Sequence, residues 1–125
     1  LGVCRGMQMI HIYFGGVLTS YNPEEHIGTR HKIYLTRELI GITQGARCPI
    51  VNSFHGQAIN NDNLPTGLDS LAITKDNYVE AFKSKKSPLL GIMWHPEREI
   101  PINPLDHYLL RKHFGYLTNI QASSF

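Results

Sequence analysis

Apolar and small residues open the chain. Leu1, Gly2 and Val3 read as the end of a buried strand. Arg5 to Phe14 then runs without a turn former except Gly6, which predicts a helix. Met7, Met9, Ile10, Ile12, Tyr13 and Phe14 cover most of its circumference, so the helix is expected to be buried on most sides. Gly15 and Gly16 end it. Val17 to Thr19 reads as a short strand, and polar Tyr21 to His31 as a loop. Lys32 to Thr36 alternates, as a half-buried strand does. Arg37 to Gly45 fits either a turn or a short helix.

Cys48 to Phe54 contains a strand that runs into a polar loop at His55 and Gly56. Asn60 to Gly67 is turn chemistry. Three β-like runs follow, Leu68 to Thr74, Tyr78 to Phe82 and Leu89 to Trp94, joined by short polar segments as in antiparallel hairpins. Asn103 and Pro104 open a final amphipathic helix from Leu105 to Leu117, with Leu105, Tyr108, Leu109 and Phe114 on its apolar face. Gln121 to Phe125 is expected to fray. The order strand, buried helix and later hairpins suggests an α/β domain with a central parallel sheet. Such a sheet would start at its middle in this chain, so strands are expected upstream of Leu1.

The chemistry begins at Gly2-Val3-Cys4-Arg5-Gly6, the thiol form of a nucleophile elbow. A sharp strand-to-helix turn needs small residues two positions either side of its centre, and Gly2 and Gly6 meet that need. The helix N-terminus is expected to favour the thiolate and lower the Cys4 pKa. Its free N–H groups, from Arg5 onward, can donate to a developing oxyanion. A core cysteine after a strand is the competing reading, which a second motif weakens. Trp94-His95-Pro96-Glu97 directly follows an apolar run. A thiolate needs a base, and the base an acceptor that orients it. Pro96 favours extended backbone at His95. Extended geometry would put Glu97 on the same face as His95, with Glu99 as a rival orienter.

Asn52-Ser53-Phe54-His55-Gly56-Gln57 places polar groups at the end of another apolar strand, either as an ordinary loop or as a site for an amino-acid head group. Gln8 lies one helical turn from Cys4 among apolar neighbours, and its amide needs a partner, either substrate or backbone.

Composition narrows the function. With 12 basic and 10 acidic residues the net charge is +2, which gives nucleic-acid binding no support. The lysines at 83, 85 and 86 read as a solvated turn. Two cysteines are too few for a disulfide framework, so a reducing, cytoplasmic setting is the default. No run is long and apolar enough to span a membrane, and no signal peptide is visible. The 7 histidines form no H-E-x-x-H pattern, and no C-x-x-C occurs, so no metal site or cofactor is expected. His11, His107 and His113 read as helix residues without special roles, and Cys48 as structural.

The strings LGVCRGMQMI, VNSFHGQAI and LLGIMWHPERE, in this order between Leu1 and Glu99, resemble the class I glutamine amidotransferase superfamily. The nearer likeness is to its γ-glutamyl hydrolase branch, of the γ-glutamyl-γ-aminobutyrate hydrolase type. A sub-branch acting on γ-glutamyl-CDP-amidate is also similar in CRGMQ and NSFH. The resemblance implies a flavodoxin-like α/β domain, of which residues 1–119 would be the C-terminal part and 120–125 a tail. It implies cleavage of a γ-glutamyl amide through a cysteine thioester. Cys4 matches the nucleophile, His95 the base and acid, Glu97 the orienting carboxylate and the Arg5 N–H one oxyanion donor. Gln8, Ser53, Phe54 and His55 match head-group positions. The family's glycine-rich loop with the other oxyanion donor has no match here. A glutaminase unit that passes ammonia to a synthetase partner is the alternative, and a degenerate binding domain is disfavoured because all three triad positions are filled.

Overall fold

The computed structural model describes residues 1–20, 27–40 and 49–117. The readings placed on 21–26, 41–48 and the tail, including that of Cys48, lie outside the described residues.

Leu1 leads into strand β1 (Gly2–Val3), and helix α1 (Arg5–Tyr13) follows the turn at Cys4. Three short strands come next: β2 (Thr19–Ser20), β3 (Ile27–Lys32) and β4 (Tyr34–Leu35). Helix α2 (Arg37–Ile40) precedes β5 (Ile50–Phe54) and β6 (Gln57–Ala58). A 3-10 turn (Asn61–Asn63) leads to the meander β7 (Leu68–Ile73), β8 (Val79–Ser84) and β9 (Leu90–Ile92). A second 3-10 turn (Pro96–Arg98) and helix α3 (Pro104–Leu117) complete the described chain. The main sheet has five strands in the order β1-β9-β8-β7-β4. Among the described residues only β1 and β9 run parallel in it, with Gly2 opposite Gly91 and Val3 opposite Ile92, and its remaining pairs are antiparallel. The α/β class expected from the strand order holds, as a mixed sheet. Two ribbons, β2 with β6 and β3 with β5, stand beside it.

The sheet is buried on two sides. Ile33, Val51, Leu71, Ala81, Ile92, Trp94, Leu105 and Leu109 belong to one cluster, which seats α3. Met7, Ile59, Val79, Phe82 and Met93 form the other, joined by Ile10 and Phe14 of the α1 segment. The fully buried Trp94 donates its indole N–H to Asp106 at 2.6 Å, tying the end of β9 to α3. Asn103 caps that helix by accepting from the Asp106 N–H at 2.8 Å.

Three sequence expectations change. Ile27 to His31 is strand rather than loop, because β5 supplies its backbone partners. Helix α1 is not buried on most sides: Met9 is 60% and Tyr13 85% exposed. Among the described residues α1 lies chiefly against β1 and β9. On α3, Phe114 is 49% exposed while His113 is buried, because the inward stripe runs Leu105, Leu109, His113 at four-residue spacing. No helix among the described residues is long and apolar enough to cross a membrane.

Burial lifts the Asp106 carboxyl to about 6 from its ordinary 3.8, against the lowering effect of the Trp94 hydrogen bond and with help from the charges of Glu99 and Glu97. A carboxyl whose pKa is raised by folding holds its proton more tightly when folded. Its contribution is therefore most favourable below about pH 4 and declines as pH rises to about 6. The loss across that window is expected to be on the order of 2–3 kcal/mol. Denaturant unfolding of the full-length protein and of Asp106→Asn at pH 4 and pH 6.5 checks this. The variant keeps an oxygen for Trp94 and should lose the larger part of the excess decline. Parallel curves would show that Asp106 does not titrate in that range.

Candidate active site

The turn at Cys4 is a strained elbow. Cys4 has φ 52 and ψ −102, outside the comfortable range of a side-chain-bearing residue. Two hydrogen bonds hold it there: its N–H donates to the Ile92 carbonyl at 2.8 Å, and its carbonyl accepts from the Gln8 N–H at 3.0 Å. The glycines contribute unequally. A Cβ on Gly2 would lie 2.6 Å from the Gly6 backbone carbon, so strand and helix meet there with no room for a methyl group. A Cβ on Gly6 would meet no described atom within 4 Å, so Gly6 serves by bringing its backbone close.

Because β1 and β9 are parallel neighbours in register, their C-terminal ends open at the same edge of the sheet. Cys4 follows the first and His95 the second, the position where α/β sheets place their sites. Strand register brings the two ends to this edge, and no hydrogen bond joins the Cys4 thiol and the His95 ring among the described residues.

His95 is held from both ends. Its backbone is extended, at φ −108 and ψ 95, as Pro96 requires. Its ring nitrogen Nδ1 lies 2.6 Å from Glu97 Oε1. The route differs from the extended path expected: Pro96–Arg98 is a 3-10 turn, and that turn folds Glu97 back onto the ring. A carboxylate oxygen only accepts, so Nδ1 carries the proton and Nε2 is left as the basic nitrogen. Slight burial opposes ionisation of Glu97, but the His95 hydrogen bond and nearby donors outweigh it and hold the carboxyl below its usual range. The rival Glu99 is spent elsewhere: its Oε1 accepts from Arg30 at 2.9 Å and from Asn52 at 2.9 Å. Arg30 above all, with Asn52, keeps it ionised.

Asn52, part of the polar run at the end of its strand, has a role that its sequence position did not single out. Buried on β5, it accepts from the His95 N–H at 2.8 Å and donates to the His95 carbonyl at 2.9 Å. One amide thus fixes the backbone of the histidine and bonds Glu99 too. The signal was an Asn inside an apolar strand, which must find partners once buried. Phe54 adds a wall to the site. The Arg98 guanidinium lies 4.0 Å from the centre of its ring, and the His95 ring meets it edge-on at 5.9 Å.

The other singled-out residues are less exposed than a binding loop suggests. Ser53 and His55 are buried, and the His55 ring faces Glu80 rather than solvent. Gln8 is buried too, donating to the Gln57 carbonyl at 3.3 Å and toward the Met93 sulfur at 3.8 Å. Its amide has protein partners.

The cysteine pKa departs from expectation. Partial burial raises the Cys4 thiol above its ordinary value, outweighing the lowering effect of the Arg5 backbone N–H. The Glu80 carboxylate raises it further, while Arg5 and Arg98 oppose that rise. The helix N-terminus acts in the expected direction, but desolvation of the anion is the larger effect here.

The family model Peptidase C26 matches residues 1–97. Over 117 residues the chain is 38% identical to γ-glutamyl-CDP-amidate hydrolase of Campylobacter jejuni, spanning 94% of this chain and 50% of that protein. It is 30% identical over 97 residues to a glutamine-hydrolysing GMP synthase of Campylobacter hominis, spanning 78% of this chain and 18% of that protein. A glutamine amidotransferase structure from Thermotoga maritima superposes with a TM-score of 0.63 at 16% identity, over 98% of this chain and 47% of that one, which speaks for the fold. The chain spans about half the length of the first of these relatives, at 50%.

The Asn52 clamp yields a measurable consequence. Asn52→Ala would leave the backbone N–H and carbonyl of His95 without that partner, at an expected cost of about 1–3 kcal/mol. Denaturant unfolding of the full-length protein should show it; a change under about 0.5 kcal/mol would mean that the clamp contributes nothing. The raised thiol pKa is checked by iodoacetamide labelling against pH, read on the Cys4 peptide by mass spectrometry. The midpoint should lie above that of an unstructured cysteine peptide, and a midpoint near neutrality would make the helix N-terminus the larger effect after all.

Proposed function

We propose, on the premise that this chain belongs to the Peptidase C26 family of class I glutamine amidotransferases, that it carries the working centre of a hydrolase that cleaves a γ-glutamyl amide. The observation that carries this reading is the pair His95 and Glu97, bonded at 2.6 Å, at the same sheet edge as the strained elbow of Cys4.

In this reading His95 Nε2 takes the proton of Cys4, and the sulfur attacks the γ-carbonyl carbon. The raised thiol pKa makes that transfer dependent on a base. The carbonyl oxygen becomes an oxyanion, to which the Arg5 N–H donates. The carbon–nitrogen bond then breaks, His95 gives its proton to the departing amine, and a γ-glutamyl thioester remains on Cys4. Water attacks that thioester with His95 again as base, and glutamate leaves as the thiol is restored. Glu97 keeps the imidazole in the productive tautomer and balances its charge while it is protonated.

The glutamyl head group is assigned to Gln8 and the segment Ser53, Phe54 and His55. Since the side chains at 53 and 55 are buried, recognition there falls to the backbone and to the Phe54 ring. The reaction needs a reduced thiol, which suits the cytoplasm. No cofactor or nucleic acid enters it, and the partner is a small γ-glutamyl substrate. Supply of ammonia to a synthetase partner is the second reading, supported by 30% identity to a GMP synthase against 38% to a hydrolase.

Two measurements test this in the full-length protein. Cys4→Ala should abolish hydrolysis of γ-glutamyl amides, and Glu97→Gln should lower kcat by roughly 100-fold or more. Unchanged turnover in Cys4→Ala would end the triad assignment. Glutamine and larger γ-glutamyl amides should then be compared as substrates. A strong preference for glutamine, rising when a synthetase is added, would favour the second reading over the first.

A further inference from the structure

We propose that His31, His55 and Glu80 form a binding site for a divalent transition-metal ion, zinc by its donor chemistry, which clips the β3–β5 ribbon to the main sheet. None of the three belongs to the triad, and of the three only His55 lies in the segment assigned to the head group, where its backbone rather than its buried ring is used.

The three residues come from separate parts of the fold. Glu80 lies on β8 of the main sheet, His31 on β3, and His55 just past the end of β5. One ligand atom from each lies within 4.8 Å of the others. Glu80 is fully buried, and neither of its oxygens makes a hydrogen bond of ordinary geometry among the described residues. A lone carboxylate is costly in such a place unless positive charge meets it.

Distances decide what kind of partner fits. His55 Nε2 lies 3.4 Å and His31 Nε2 3.6 Å from the same oxygen, Glu80 Oε1. A charge-assisted hydrogen bond between imidazolium and carboxylate would draw these atoms to about 2.7–2.9 Å. Ligands on a tetrahedral zinc at about 2.0–2.1 Å instead stand about 3.3–3.4 Å from one another. The observed spacing is closer to the second figure.

The tautomer agrees. His55 Nδ1 lies 2.8 Å from the Gln57 carbonyl, which can only accept, so Nδ1 carries the proton. In the neutral ring the lone pair of Nε2 then faces Glu80, the orientation that a metal-ligating histidine takes when a carbonyl holds its other nitrogen. Two imidazoles and one carboxylate suit zinc or cobalt, and three protein ligands leave one position for water. The His31 side chain, 15% exposed, is the way in. Bound there, the ion would hold the ribbon whose Asn52 grips the His95 backbone.

The test uses the full-length protein carrying Cys4→Ser, so that no thiolate near His95 and Glu97 competes for metal. After removal of metal with a chelator, zinc chloride is added, the protein desalted, and its zinc measured by mass spectrometry. About one zinc per chain is expected. Cobalt chloride should give the strong visible bands of a tetrahedral centre. Adding His31→Gln, whose side chain reaches the surface, should weaken zinc binding at least about 10-fold while the circular dichroism spectrum is kept. Glu80→Gln is the second arm and should do the same. Absence of zinc uptake by the folded Cys4→Ser protein would overturn the site and leave a buried imidazolium–carboxylate pair. Undiminished zinc in a folded His31→Gln or Glu80→Gln variant would overturn it as well.

Discussion

The hydrogen bond from the Cys4 N–H to the Ile92 carbonyl is the constraint on which the arrangement depends. It prolongs a parallel pairing of only two registered positions, Gly2 with Gly91 and Val3 with Ile92, past the end of β1. A φ of 52 for a residue with a side chain is unfavourable and persists only where its surroundings insist on it. Here the insistence comes from two sides. The strand is fixed by β9, and the helix approaches Gly2 so closely that no Cβ fits. The elbow thus follows from packing as much as from local preference.

The second support reaches the site from the ribbon. β5 brings Val51 into the core beneath α3 and Asn52 onto the backbone of His95. His55, beyond the strand end, meets Glu80 of the main sheet. Three functions, apolar burial, histidine placement and contact with Glu80, therefore sit within one short segment. Each polar group in it is buried with its partners, which ties the position of His95 to the seating of the whole ribbon.

Charge around Cys4 is a balance of opposing effects. Desolvation and the Glu80 carboxylate disfavour the thiolate, while the Arg5 N–H and the side-chain charges of Arg5 and Arg98 favour it. The resting thiol is the outcome. A site built this way keeps its sulfur protonated until a base takes the proton, and in the proposed reaction that base is His95, whose Nδ1 is bonded to Glu97 and whose Nε2 is not. Arg98 has two duties here, since it also covers the Phe54 ring.

Much of this was legible in the linear chain. The elbow, the His-Pro-Glu string and the hairpins are local signals: small residues at a tight turn, a proline that restricts its neighbour, and alternation between turn formers. The helices at Arg5 and Pro104 were equally plain, with Asn103 as a cap. What the chain alone did not reveal depends on residues far apart in sequence. Ile27 to His31 is polar enough for a loop and becomes strand only because β5 lies beside it. Outward Met9 and Tyr13 look like core residues until it is known that α1 lies chiefly against β1 and β9. The thiol pKa, expected to fall at a helix N-terminus, rises because burial is a property of the assembled fold. Asn52 gained its partners across 43 positions, and Glu80 met two histidines that no spacing rule connects. Local sequence determined which residues are candidates for chemistry, because turns and strand ends are written in neighbouring residues. Tertiary structure decided their protonation, their supports and their company, because those are set by desolvation and by contacts across the fold.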